Sequence, residues 1–123
     1  MVSQIQPLLL REAILGAQMA GSHPGLKRIY NRLNRLYFDG ELPDIEIVWE
    51  PTGDSIALSH YCSEGIEIAR LTFDPALKGY NKIIKTYMMH EMIHIKYPKI
   101  GHGERFKAEL DRLWDKGAYY KLL

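Results

Sequence analysis

Cysteine is almost missing from this chain. Cys62 stands alone among 123 residues, which excludes an internal disulfide and any Cys-x-x-Cys zinc site. Long apolar runs are missing too. The three leucines at 8–10 are cut off at once by Arg11 and Glu12, far short of a membrane span, and no basic stretch precedes them as in a secretory leader. An intracellular, reducing location without a membrane partner is the expectation. Nor is there an excess of one charge: the net value is +1, so the molecule as a whole is no strong polyanion binder. Repeats, low-complexity tracts and linkers long enough to divide the chain are absent as well.

What is present is an ordinary globular composition, 46% hydrophobic and 25% charged, on a chain long enough for one core. Residues 7–20 have helical composition and stop at the breaker 21–25, Gly-Ser-His-Pro-Gly. A second helix follows, with Leu26, Ile29, Tyr30, Leu33, Leu36 and Tyr37 at helical spacing. Its polar side carries Lys27, Arg28, Arg32 and Arg35 without an acid, whereas residues 39–50 carry five acids and no base. Residues 45–50 alternate apolar and polar, and 55–62 and 66–73 are two further extended stretches. The apolar phase slips around Ile68, Ala69 and Leu71, which predicts a bulge or strand end. A small antiparallel sheet of about three strands is expected. Helices return over 81–97, closed by Pro98, and over 104–116, where Phe106, Leu110, Leu113 and Trp114 form the expected buried stripe. Helices, then strands, then helices make an α+β domain. The division expected is an N-terminal helical extension, 1–23, and one domain, 24–123.

The chemistry concentrates in HEMIH, residues 90–94. His90 and His94 are four apart, about 40° on a helix, so both imidazoles project from one face one turn apart. That spacing can grip one tetrahedral ion, and Glu91, about 100° round, can take a proton from water activated there. A catalytic zinc normally has three protein ligands. His102, between Gly101 and Gly103 in a turn after Pro98, is the candidate third; Glu104 and Glu109 are the alternatives. A metzincin pattern fails because Tyr97 and Ile100 stand where it needs Gly and His. Ile84, Met88, Met92 and Ile95 share the opposite side of the helix as core. Tyr87 and Tyr97, on the histidine face, are candidate oxyanion or substrate contacts, with packing as the competing role. His23 and His60 read as non-ligands.

Tyr37, Phe38, Leu42 and Pro43, then short strands, then HEMIH and the run His102, Gly103 and Phe106, resemble the SprT-like (Spartan-type) zinc metallopeptidase domain. The resemblance covers about residues 24–116. It implies a single minimal zincin-like domain with H-E-x-x-H on a central helix. One zinc ion per chain would be held by His90, His94 and His102, with Glu91 as catalytic base. It also implies proteolysis linked to DNA, as in cleavage of proteins crosslinked to DNA. Fuller members carry a cysteine zinc ribbon, which one cysteine excludes. Arg28, Arg32 and Arg35 are candidate phosphate contacts, with an ordinary solvated helix face as the alternative. The acids at 39–50, near the sheet, suggest a basic protein or peptide substrate. The main alternative function is a zinc-stabilised nucleic-acid or protein binding module without turnover.

Overall fold

The computed structural model describes residues 21–61, 68–98 and 100–119. The expected N-terminal helix at 7–20 lies outside the described residues.

Helix α1, Pro24–Tyr37, starts within the breaker, taking in its last two residues. The His23 side chain caps it, with Nδ1 accepting from Gly25 N at 3.1 Å and Leu26 N at 3.4 Å, and Pro24 sits in the first turn, where no amide hydrogen is needed. Leu26, Tyr30 and Leu33 are buried as expected, but Leu36 is 45% exposed. The place in the core that its spacing suggested is taken by Phe38 beyond the helix end, 2% exposed. The turn after α1 is pinned by Asn34, a buried amide that donates to Leu42 O and accepts from Leu42 N, both at 3.1 Å. Tyr30 Oη donates to Pro43 O at 2.6 Å. Asp39 and Gly40 reverse the chain at φ 56° and 71°, the left-handed region that glycine adopts without strain.

The sheet has three strands: β1, Glu46–Trp49, β2, Ala57–Tyr61, and β3, Ile68–Phe73. Their order is β1-β3-β2. The β2–β3 pair is antiparallel as expected, but β1 runs parallel to β3, so the sheet is mixed. Two contacts hold this register. Arg70 Nε donates to Glu46 at 2.6 Å across the parallel pair, and Arg70 also bonds Glu50. Just past the strand ends, Thr52 N donates to Asp74 Oδ2 at 3.2 Å, tying the ends of β1 and β3 together. The slipped apolar phase is a bulge: His60 pairs with Arg70 and Tyr61 with Ile68, leaving Ala69 as the extra residue.

Helix α2, Asn81–Lys96, packs against this sheet, and α3, Glu104–Asp115, follows the turn at 97–103. Ile47, Leu71 and Phe73 from the sheet and Ile84, Met88, Met89, Met92 and Ile93 from α2 are between 0% and 2% exposed. Burial of that many apolar side chains, each worth roughly 1.5–3 kcal/mol, fixes α2 against the sheet. On α3 the buried stripe is Phe106, Glu109 and Leu113. Trp114, expected in it, is 46% exposed and stacks on Tyr119; Glu109 takes the position because its charge is neutralised internally. Among the described residues no helix is long and apolar enough to cross a membrane.

Candidate metal centre

His90 and His94 project from one side of α2, and the turn after Pro98 brings His102 back against them. His94 Nε2 and His102 Nε2 are 3.2 Å apart, as are His102 Nε2 and His90 Nε2. A tetrahedral ion with nitrogens at about 2.0–2.1 Å requires its donors to stand about 3.3–3.4 Å apart. Two of the three donor pairs stand close to that spacing, and all three donors lie within 4.8 Å of one another, so the imidazoles can hold a metal ion such as zinc. Among the described residues they form the one group of histidines and carboxylates close enough to hold a metal.

Phe106 supports all three rings. Its centroid is 4.8 Å from those of His90 and His102 and 5.0 Å from that of His94, against which it is stacked. Phe106 is 4% exposed, so the platform is anchored in the core by α3. Burial holds the His90 pKa below the usual histidine range; Glu91 opposes this and His102 adds to it. Burial also lowers the pKa of His94, with His90 and His102 reinforcing it. Both effects favour the neutral imidazole, the form that ligates a metal.

Glu91, close enough to His90 for its charge to be felt there, accepts a hydrogen bond at Oε1 from Ser59 Oγ on β2. Sequence reasoning missed Ser59. The strand pairing that aims it at α2 is long-range, and a serine in an extended stretch carries no signal of its own.

Neither alternative third ligand belongs to the cluster. Glu104 is exposed in the first turn of α3. Glu109 is buried and bound by Arg112, whose Nε lies 3.0 and 3.1 Å from its two oxygens and one Nη 2.8 Å from Oε2. Burial alone would raise the Glu109 pKa; the Arg112 bond and charge, with Lys96 adding, hold it below the ordinary carboxylate range. Arg112 also donates to Tyr37 O at 2.9 Å and lies over the Phe38 ring. Arg112 thus ties the end of α1 to α3.

Of the two tyrosines, Tyr97 has its hydroxyl 3.5 Å from Glu109 and its ring beneath Lys96 and Arg105. Tyr87 is 38% exposed and, with Leu110 and Trp114, lines a cleft of about 480 Å³ that reaches His90. His23 is the cap of α1, and His60 Nε2 lies 3.2 Å from Thr72 Oγ1; neither joins the cluster.

Arg28, Arg32 and Arg35 are exposed and line a different groove, of about 990 Å³, together with Lys78 and Lys85. Among the described residues no acidic side chain lines it. None of the five cations pairs with an acid among the described residues. On α2 the groove is bordered by Asn81, Ile84, Lys85 and Met89, between about 80° and 180° round the helix from His90 and His94.

No protein-family model and no curated protein matches the sequence. Two solved structures resemble the fold, each described as a metallopeptidase zymogen. One is abylysin of Pyrococcus abyssi, with a TM-score of 0.56 and 16% identity over 79% of this chain and 87% of that one. The other is jannalysin of Methanocaldococcus jannaschii, with a TM-score of 0.54 and 20% identity over 80% of this chain and 97% of that one. The chain shares the α+β fold of these small metallopeptidases.

Proposed function

We propose that the protein is a zinc-dependent endopeptidase with Glu91 as general base, SprT-like in kind, acting on DNA-associated or DNA-crosslinked proteins. The observation that carries this is the convergence of three histidines, with His102 Nε2 3.2 Å from the Nε2 of both His90 and His94, next to the Glu91 carboxylate. His90, His94 and His102 would hold the ion. Zinc bound there supplies a Lewis acid, which polarises a carbonyl and makes water more acidic. Glu91 takes a proton from the attacking water, leaving its oxygen to bond the scissile carbonyl carbon. As the carbon–nitrogen bond breaks, Glu91 returns that proton to the leaving amine. Strand β2, at the edge of the sheet and holding Glu91 through Ser59, is where an extended substrate pairs backbone to backbone.

Both fold relatives are metallopeptidases, which favours peptide bonds over other amides. The DNA link is favoured by the groove of Arg28, Arg32, Arg35, Lys78 and Lys85, which suits a phosphate backbone and lies on the side of α2 away from the histidines. A protein and its DNA could then be held together.

The test compares zinc-loaded wild type with Glu91→Gln on basic DNA-binding proteins, with and without single-stranded DNA. Cleavage by the wild type that vanishes in the variant, and rises with DNA, is the expected result. No cleavage in any lane, with one zinc bound per chain, would point instead to a zinc-stabilised binding module. Cleavage indifferent to DNA would remove the DNA link and leave the peptidase.

A further inference from the structure

We infer that Ser59 is a positioning residue for Glu91, an inference that rests on the peptidase reading above. On β2, Ala57 and Ser59 stand opposite Phe73 and Leu71. Cross-strand partners share a face, and from that face Ser59 reaches Glu91 of α2, so this is the sheet face that packs on α2. The neighbouring Leu58, on the opposite face, is exposed. Ser59 thus meets α2 at Glu91 and donates its hydroxyl proton to Oε1. It is the one hydrogen-bond partner of that carboxylate among the described residues.

The consequence is geometric. A glutamate side chain has three rotatable torsions, and ordering such a chain costs roughly 1.5–2 kcal/mol of rotamer freedom. A general base must nonetheless stand within hydrogen-bond reach of the proton it removes. With Oε1 held by an edge strand that is itself fixed on the core, the torsions are set before substrate arrives, and Oε2 is left to meet the water. A hydroxyl suits this role. It donates one proton to the carboxylate without adding a charge that would compete with the histidines for it.

The test measures kcat and KM on one cleavable substrate for zinc-loaded wild type, Ser59→Ala, Ser59→Thr, Glu91→Gln and the Ser59→Ala/Glu91→Gln double variant. Bound zinc is quantified in each. A hydrogen bond to a charged group is worth enough that Ser59→Ala should lower kcat by about 10- to 100-fold, with KM and zinc content unchanged. Ser59→Thr keeps the hydroxyl on a residue suited to strands and should recover most of the rate. In the Glu91→Gln background, Ser59→Ala should have no further effect, as expected of two residues acting through one group.

Equal kcat for Ser59→Ala and wild type, or a change confined to KM, would overturn the inference, as would a threonine variant no faster than alanine at equal zinc content. A faster alanine variant would also overturn it, since the bond would then restrain the base. Glu91→Gln as active as wild type would instead overturn the reading of Glu91 itself. That outcome is distinct from an inactive Glu91→Gln beside a fully active Ser59→Ala.

Discussion

Replacing Arg112 with alanine leaves Glu109 as a buried carboxylate whose remaining polar partners among the described residues are Lys96 Nζ and Tyr97 Oη, each at 3.5 Å. Removing one partner of a buried pair costs about 3–5 kcal/mol. Arg112 is 30% exposed against 7% for Glu109, and Lys96 remains, so a loss of about 2–3 kcal/mol is expected once solvent is allowed for. The lost bond to Tyr37 O and the contact with Phe38 act in the same direction. For a domain of this size that is a fall in Tm of about 10 °C. The assay is urea unfolding of the metal-free proteins, so that metal release does not contribute. The pH dependence follows from the lowered Glu109 pKa. Below the ordinary carboxylate pKa the unfolded chain binds more protons than the folded one. The pair's contribution is therefore fully present above about pH 4.3 and fades as the pH falls through the lower folded value. The gap between wild type and variant should be widest near neutrality and narrow in acid. A gap under about 0.5 kcal/mol at pH 7, the range of an ordinary surface change, would refute the structural role given to this pair.

Other consequences can be checked separately. His102→Ala should weaken zinc binding more than about 100-fold, beyond what loss of a residue that merely orients a ligand costs, measured by competition with a chromogenic chelator; unchanged affinity would return the third position to a glutamate. Because the His90 and His94 pKa values are lowered, their neutral form persists below pH 6.5, and zinc should be retained to a more acidic midpoint than that value. Asn34→Ala leaves both backbone groups of Leu42 without a partner and should cost about 2 kcal/mol in urea unfolding, whereas a change under about 0.5 kcal/mol would mean that water replaces the amide.

The fold was legible in the sequence where local rules decide it. The spacing of Leu26, Tyr30 and Leu33, the stop at Pro98 and the alternation around Ile47 each report a neighbour within a turn or a pleat. The slipped phase at Ala69 even announced the bulge. The parallel partnership of β1 and β3 was not legible, because it rests on Thr52 reaching Asp74 and on Arg70 reaching Glu46, contacts between residues more than twenty apart. Trp114 and Glu109 exchanged roles on α3 for a similar reason. Hydropathy places the tryptophan inside, while the burial of Glu109 depends on Arg112 one turn on and on Tyr37 O in another helix. The histidine cluster could be read from its spacing because two of its members stand one helix turn apart. The Ser59 contact could not, since only the tertiary packing of an edge strand on α2 creates it.

The account stands most directly on the claim that this site hydrolyses peptide bonds with water and Glu91. The decisive measurement is mass spectrometry of a protein substrate digested by the zinc-loaded enzyme in heavy-oxygen water. New fragments whose C-terminal carboxylates carry the heavy oxygen, absent with Glu91→Gln and restored to background by chelation of zinc, are the expected result. An intact substrate beside a protein that holds zinc, or fragments formed equally by Glu91→Gln, would contradict it.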